Sequence, residues 1–303
     1  MSSAVKRSIL VAGMRRTFLR VAPAAAVVAT ATATAAATAT DRALVLVLHG
    51  SNQSANTIRR YSDRTFDSLA GRGAVVAYLD GFHGHWNDAR VGSISAARRN
   101  EIDDVAFVTA VIDDLAANER VNRDRVFIVG FSAGGYMTIR VIHEIPDRIA
   151  GAGLISATHA DTPNFIRSQY ESAPLAVTMF HGTSDLFVKY GGQPARRCGL
   201  LRGGGMLSAP ATAKYFAQRN GILTPGAQRQ VSADVVETVY ADGVKPQVRL
   251  FSITGRGHTI PGARGHLFAG QSTRSIVAAQ VLADHWALPA AAESVVVQDR
   301  REL

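Results

Sequence analysis

The chain has 303 residues, of which 47% are hydrophobic and 19% are charged, and this composition is typical of a globular protein with one large core. Its formal net charge is +9, but five of the 33 basic residues lie in the first 40 positions, which hold no acid. The rest of the chain has 28 basic and 24 acidic residues, a net charge of +4, so we expect no nucleic-acid partner. The single cysteine excludes an intramolecular disulfide and a metal site built on several cysteines.

Residues 1–40 have the composition of a targeting segment. Basic residues precede the run VAPAAAVVATATATAAATAT, which has small residues at the spacing that a signal peptidase cleaves. Within the basic part, MRRTFLR, with Arg15 and Arg16, resembles a twin-arginine export signal. We therefore expect a leader over 1–40, a domain over 41–303, and export to the periplasm or the medium. A disordered leader or an acid-poor transit peptide is the alternative.

Beyond the leader, short apolar runs alternate with amphipathic segments. Helical spacing of apolar residues predicts helices over 57–70, 102–115, 136–145 and within 272–286. Six runs have the pattern of buried strands: ALVLVLHG (43–50), GAVVAYLDG (73–81), RVFIVG (125–130), IAGAGLIS (149–156), LAVTMFHG (175–182) and QVRLFSITG (247–255). This alternation predicts a single α/β domain, with a mostly parallel sheet and helices on both faces. No other stretch is apolar enough to span a membrane.

Two segments do not fit this alternation. Residues 191–211 are rich in glycine, and we expect a loop there. Residues 225–247 are expected to form a hairpin or an excursion before the last strand.

One serine stands in a cramped turn. Gly130-Phe131-Ser132-Ala133-Gly134 fits the pattern G-x-S-x-G, which is weak alone, but a predicted buried strand enters it and a predicted helix leaves it. Small residues on both sides allow a strained turn that presents the hydroxyl above the sheet edge. We therefore expect Ser132 to be a nucleophile; a serine that only caps the next helix is the alternative.

A serine hydroxyl needs a base and a group that orients the base. Asp185 follows one predicted strand and His258 follows another, so both are expected at the same sheet edge as Ser132 and in the chain order serine, acid, histidine. His258 would take the serine proton, and Asp185 would hold the imidazole. Asp161 is the rival acid and His266 the rival base.

Such a site also needs donors for a developing oxyanion. The backbone N–H of Ala133, directly after the serine, is one candidate. The second is expected in the loop after the first predicted strand, from Gly50 or Ser51.

Four segments together carry a family resemblance: LVLVLHG, RVFIVGFSAGGYM, HGTSDLFVKYGG and GRGHTIPG. With HWNDAR and DDVAFVTAVIDDL, they resemble the α/β-hydrolase superfamily, and in particular secreted polyhydroxybutyrate depolymerases and feruloyl esterases. The resemblance extends over roughly residues 44–286. It implies hydrolysis of carboxylic esters by Ser132, Asp185 and His258, without a cofactor. Members begin with two strands before the LHG strand, so either the domain is trimmed here or the leader contains strands that are hard to recognise.

Several other residues of this region are candidates for a role in the site, and each could instead have only a structural role. Trp86 is a candidate for packing on the acyl or aryl group of a substrate, with a core role as the alternative. His49 is expected at the substrate site, where it would orient the oxyanion loop, and His181 would orient the acid loop. His83 and His85 lie near Asp88, but one short loop rarely supplies a complete metal site, so we expect no metal.

The sequence therefore predicts an esterase that acts on a small or soluble ester. A peptidase of the same fold is the first alternative, and a non-catalytic binding protein that keeps the fold is the second. The lone Cys198 is expected to be inert or exposed rather than a nucleophile.

Overall fold

The computed structural model describes residues 3–23, 42–166, 173–195, 204–265 and 269–290. Within these ranges ten strands form one sheet in the order β1-β2-β4-β3-β5-β6-β7-β10-β9-β8. The strands are β1 (Ala4–Val11), β2 (Met14–Val21), β3 (Arg42–Leu48), β4 (Val75–Leu79), β5 (Val121–Phe131), β6 (Gly151–Ile155), β7 (Ala176–Gly182), β8 (Ala227–Ser232), β9 (Val235–Tyr240) and β10 (Val248–Ile253).

The helices lie between these strands. They are α1 (Ala55–Tyr61), α2 (Ala96–Arg99), α3 (Asp104–Asn118), α4 (Ala133–Glu144), α5 (Ala209–Arg219) and α6 (Ala278–His285), with short 3₁₀ helices at Thr65–Arg72, Pro146–Arg148 and Thr162–Asn164. None of the helices in the described ranges has the length and apolar character that crossing a bilayer requires.

The centre of the sheet is parallel and its margins are antiparallel. Strands β4, β3, β5, β6, β7 and β10 run parallel to their neighbours within this group, whereas β2 joins β4 and β9 joins β10 in antiparallel pairs. The predicted α/β architecture with a mostly parallel sheet is confirmed. The hairpin expected within 225–247 is β8 and β9.

Two apolar layers cover the sheet, one on each face. Along β3, Leu44 and Leu46 face the layer formed with α3, α4 and α5, and Val45 and Val47 face the layer formed with α1 and α6. Because side chains alternate across a strand, a run of apolar residues is buried on both faces. This is the reason that the central strands could be recognised as continuous apolar runs.

The N-terminal residues differ from the prediction. The segment expected as a leader contains β1 and β2, which pair along their whole length through a turn at Ala12 and Gly13, and β2 pairs with β4. Phe18 is fully buried in the core. Residues 4–21 are therefore part of the sheet and not a segment outside the domain, and they supply the two strands that seemed to be missing. The Ala/Thr-rich residues 24–41 lie outside the described ranges, and export stays a prediction.

Candidate active site

Ser132 occupies a strained turn between β5 and α4. Its backbone has φ +54° and ψ −118°, a conformation that residues other than glycine rarely adopt. The turn is held by the Ser132 N–H, which donates to the Ile155 carbonyl at 2.9 Å, and by the Ser132 carbonyl, which accepts from the Gly135 N–H at 2.8 Å. The chain thus leaves the sheet edge abruptly, and α4 begins at the next residue.

The glycines of this motif are required by close backbone contacts. A Cβ at Gly130 would lie 2.1 Å from the Gly134 carbonyl oxygen, and one at Gly134 would lie 2.2 Å from the Leu48 carbonyl oxygen. A Cβ at Gly135 would lie 2.4 Å from the Ala157 side chain. Helix α4 can therefore start directly against β5 and β3 only because these positions have no side chain.

His258 and Asp185 form a hydrogen-bonded pair at the same sheet edge. Asp185 lies beyond the end of β7 and His258 beyond the end of β10, and the His258 Nδ1 is 2.7 Å from the Asp185 Oδ2. The other carboxylate oxygen accepts the N–H groups of Phe187 and Val188, each at 2.9 Å. Asp185 is buried, so these three bonds fix it and leave its second oxygen directed at the imidazole.

The loop that carries Asp185 is held from behind by another histidine. His181 is buried, and its Nε2 donates to the Val188 carbonyl at 2.7 Å. Burial lowers the pKa of His181, so the ring is neutral at neutral pH and serves as a hydrogen-bonding support. This is the orienting role that the sequence predicted for it.

A cleft of about 740 Å³ contains both Ser132 and His258. Its wall is mixed: it contains glycine and polar residues of the loop after β3, together with apolar and aromatic residues from other segments. The lining side chains include Gln53, Tyr61, Arg90, Phe131, Tyr136, Asn164, Phe187, Val188 and Met206. Cleft volume and composition are those of a site for a small organic molecule.

Two backbone N–H groups near Ser132 are available to an oxyanion. Ala133 is the first residue of α4, where N–H groups have no partner within the helix. In the loop after β3, the Gly50 N–H donates to the Gln53 side chain at 3.0 Å and the Asn52 N–H donates to the Gly84 carbonyl. The Ser51 N–H has no acceptor among the described residues. Of the two candidates in this loop, Ser51 therefore fits the role better than Gly50.

His49 and Trp86 do not line the cleft. Trp86 is 1% exposed, and its indole N–H donates to the His49 carbonyl at 2.8 Å. His49 is fully buried: its Nδ1 is 2.7 Å from the Gly50 carbonyl and its Nε2 accepts the Gly81 N–H at 2.8 Å. Burial lowers the pKa of His49 to about 4. The prediction that these two side chains contact the substrate is corrected, because both are buried behind the loop whose shape they fix.

The rival candidates lie elsewhere. Asp161 caps the short helix Thr162–Asn164 and accepts the Asn164 N–H at 3.1 Å, so it is the Asp185 carboxylate and not that of Asp161 that meets His258. Asp88 forms an ion pair with Arg90, with 2.6 Å between Oδ2 and Nη2. His266 and Cys198 lie outside the described residues.

Sequence reasoning missed three side chains that shape the cleft. The Tyr61 hydroxyl donates to the His258 carbonyl at 3.1 Å across 197 positions of the chain. Phe187 lies against the His258 ring with 5.2 Å between ring centres, and Arg90 also lines the cleft. No local pattern marks these residues, because each comes from a loop or helix end that only the folded chain brings to the site.

Comparisons with known proteins show similarity to hydrolases. The Hydrolase_4 family model, described as serine aminopeptidase, S33, matches residues 39–186, which include Ser132 and Asp185. "Putative esterase NocK" of Nocardia uniformis subsp. tsuyamanensis is 31% identical over 180 residues, 59% of this chain and 48% of the relative. Feruloyl esterase B of Piromyces equi is 28% identical over 195 residues, 61% of this chain and 34% of the relative. The matches thus span less than half the length of these relatives.

A solved structure supports the fold. Acetyl xylan esterase from Aspergillus awamori superposes with a TM-score of 0.59 at 14% identity, over 85% of this chain and 95% of that chain. The ten-stranded sheet, the serine turn after β5 and the family match lead to the same assignment. The chain has the α/β-hydrolase fold, and relatives named esterases are among the proteins it is similar to.

Proposed function

We propose that the chain hydrolyses carboxylic esters, with Ser132 as nucleophile, His258 as general base and acid, and Asp185 as the group that orients His258. The observation that carries the proposal is the arrangement at one sheet edge: Ser132 on its strained turn shares a cleft with His258, and His258 Nδ1 is bonded to Asp185 at 2.7 Å. A serine without a catalytic role does not need a strained turn, and a histidine without one does not need a buried carboxylate bonded to its Nδ1.

Each step follows from the position of these groups. The His258 imidazole takes the Ser132 proton as the serine oxygen forms a bond to the ester carbonyl carbon. The carbonyl oxygen becomes an oxyanion, for which the Ala133 and Ser51 N–H groups are the donors. The intermediate then expels the alcohol, which receives the proton from His258. Water, activated by the same imidazole, hydrolyses the acyl-enzyme and releases the acid.

The size of the cleft favours a small or soluble ester. At about 740 Å³ it accommodates a single small molecule, and its wall combines aromatic side chains with a few amides. Short acyl esters, feruloyl esters and oligomers of hydroxyalkanoates are the finer candidates. The names of relatives, an esterase and a feruloyl esterase, support this range.

A peptidase of the same fold is the second candidate, because the matching family is described as a serine aminopeptidase. An aminopeptidase must bind the free ammonium group of its substrate, for which a carboxylate in the cleft is the usual partner. The described residues that line this cleft include no Asp or Glu, and their one cationic side chain is Arg90. The lining therefore favours ester hydrolysis over aminopeptidase activity.

The experiment uses the full-length chain and a fluorophosphonate probe, which reacts with an activated serine. We expect labelling of the native chain and of Ser68→Ala, which changes an exposed serine outside the cleft lining, and loss of labelling in Ser132→Ala. A panel of nitrophenyl esters of increasing acyl length, with feruloyl and hydroxybutyryl esters and an aminoacyl nitroanilide, then defines the substrate. A folded chain that takes up no probe and cleaves no ester would overturn the proposal and favour a non-catalytic binding protein.

A further inference from the structure

The cleft contains an arginine that the proposed reaction does not use. Arg90 lies in the segment after β4 and lines the same cleft as Ser132. It is fixed in place: its Nε and Nη2 contact the two carboxylate oxygens of Asp88 at 3.0 and 2.6 Å, and its guanidinium lies over the Tyr136 ring at 4.0 Å. Asp88 is itself 1% exposed, so the arginine is held by a buried partner and not by a mobile surface group.

This anchoring leaves one end of the guanidinium available. The Arg90 Nη1 has no hydrogen-bond acceptor among the described residues, whereas Nε and Nη2 are both occupied. An arginine carries five N–H donors in a rigid fork, and the two on Nη1 are suited to an anionic oxygen. A fork that is already ordered loses little conformational freedom when it binds a second acceptor.

The surrounding charges are not balanced. Behind Arg90, the Nη2 of Arg98 donates to the carbonyls of Asp88 and Arg90 at 2.7 and 2.6 Å, and Arg98 has no carboxylate partner among the described residues. Arg140 is paired with Glu144 at 2.7 Å. This group therefore has three arginines and two carboxylates and is positive by one charge. With no carboxylate in the described lining of the cleft, the wall at Arg90 favours an anion.

We propose that this wall binds a carboxylate of the substrate, so that the preferred substrate is an ester that carries a second, free carboxylate group. The proposal rests on the function proposed above and narrows its substrate class. Arg90 would bind the carboxylate through Nη1 while Ser132 attacks the ester carbonyl, and the Arg90–Asp88 pair would remain intact. Half-esters of dicarboxylic acids and esters of hydroxy acids with a free carboxyl end are the compounds of this class.

Two matched pairs of esters test the proposal on the unmodified full-length chain. Nitrophenyl hydrogen adipate is compared with nitrophenyl hexanoate, and para-acetoxybenzoate with its methyl ester, each corrected for its rate in buffer. The pairs place the carboxylate on the acyl part and on the alcohol part. We expect kcat/KM for the anionic member of at least one pair to exceed that of its neutral partner by roughly tenfold or more, because a hydrogen bond between charged groups is worth about that factor.

The variants assign this preference to Arg90. In Arg90→Gln the ratio of kcat/KM for the anionic and neutral esters should fall roughly ten- to hundredfold, while Arg90→Lys should retain part of it. Arg123→Gln is the matched control, since Arg123 is also paired with an aspartate, Asp113, but is half exposed and lies outside the cleft; its ratio should equal that of the native chain.

The outcomes separate the two proposals. A chain that reacts with the fluorophosphonate and cleaves the neutral esters, but shows no preference for either anionic ester, keeps the proposed function and overturns this inference. An equal preference in Arg90→Gln also overturns it. If the chain does not react with the fluorophosphonate, both the proposed function and this inference are overturned.

Discussion

Arg16 Nη2 lies 2.7 Å from Asp104 Oδ1, and both side chains are buried. This pair joins β2, near the N-terminus, to the start of α3. The other oxygen of Asp104 accepts the Asn87 N–H at 2.7 Å. The preceding residue, Trp86, donates to the His49 carbonyl, beside the loop that contains Ser51. The first hairpin of the chain is thus connected by hydrogen bonds to the wall of the cleft.

Removing the cation of this pair should strongly destabilise the fold. In Arg16→Met the Asp104 carboxylate stays buried without its partner, a change that typically costs about 3–5 kcal/mol. The free energy of unfolding in urea measures this. Arg15→Met is the control, because Arg15 is exposed on the same strand and should change the value by less than about 0.5 kcal/mol. Equal effects of the two substitutions would contradict the role given to the buried pair.

Truncation of residues 1–40 tests whether the N-terminal strands are required. The truncated chain, beginning at Asp41, lacks β1, β2 and the core side chain of Phe18. We expect it to be insoluble or to unfold without a cooperative transition, because β4 would then be an uncovered apolar edge. Circular dichroism and size-exclusion chromatography beside the full-length chain give the answer. A soluble truncated chain with native esterase activity would show that the hairpin is dispensable.

Ser132 should be a position where glycine is more stable than alanine. Both Ser132→Gly and Ser132→Ala remove the hydroxyl, so both should lose ester hydrolysis. Only glycine adopts φ +54° and ψ −118° without strain, and we expect the glycine variant to be more stable by about 1 kcal/mol. Thermal unfolding of the two variants measures the difference, and a more stable alanine variant would argue against a strained turn.

Trp86 should affect turnover although it does not touch the cleft. Trp86→Phe keeps the aromatic packing but removes the donor to the His49 carbonyl, which loosens the residues that precede Ser51. We expect kcat to fall by roughly tenfold or more with a smaller change in KM, because a displaced Ser51 N–H would stabilise the oxyanion of the transition state less well.

Trp286→Phe is the matched control for that substitution. Trp286 is stacked on Phe127, with 4.8 Å between ring centres, in the apolar layer on the other face of the sheet. Its loss should lower stability but leave kcat of the folded protein unchanged. A similar fall in kcat for both tryptophan variants would mean that Trp86 acts only through general stability.

Stability should fall in mild acid, and three buried histidines with strongly lowered pKa values contribute to this fall. Burial lowers the pKa of His143 to about 3 and that of His49 and His159 to about 4, from 6.5. Between about pH 6.5 and 4 the unfolded chain therefore binds protons that the folded chain does not. The stabilisation is complete above pH 6.5 and is lost as the pH falls, by about 1.4 kcal/mol per pH unit for each histidine.

Urea unfolding at several pH values measures this slope. His159→Gln should reduce it by the contribution of one histidine, whereas His83→Asn, which changes an exposed histidine, should leave the slope unchanged. A slope that is the same in His159→Gln and in the native chain would show that His159 does not contribute.

The sequence predicted the centre of the fold better than its margins. Strands β3 to β7 and β10 are apolar runs because they are buried on both faces, and such runs are easily recognised. β2 has buried residues on both faces, but it also includes Arg16, whose charge is compensated by Asp104, a residue 88 positions away. Without that partner in view, residues 4–21 were not predicted as strands. The helix α5 was also missed, because the glycine-rich segment before it hid its start.

The candidate site also has a part that could be predicted from the sequence and a part that could not. Ser132, Asp185 and His258 could be predicted because each follows a recognisable strand and the ends of parallel strands meet at one edge. The cleft wall could not, since Tyr61, Arg90 and Phe187 are positioned by contacts between distant segments. Burial also reversed the expectation for Trp86: an aromatic residue next to a predicted site was in fact a buried support of the loop.

The two open edges of the sheet bear on how the chain behaves at high concentration. β1 carries Lys6 and Arg7, and β8 is the polar segment AQRQVS, which is exposed along nearly its whole length. Charged and polar edges disfavour pairing with the strand of another molecule. β4, two strands inward, has the opposite character, since all five residues of VVAYL are buried. The first 21 residues therefore protect the chain from aggregation: a protease cut or mutation that detached them would turn a protected edge into one on which foreign strands can assemble.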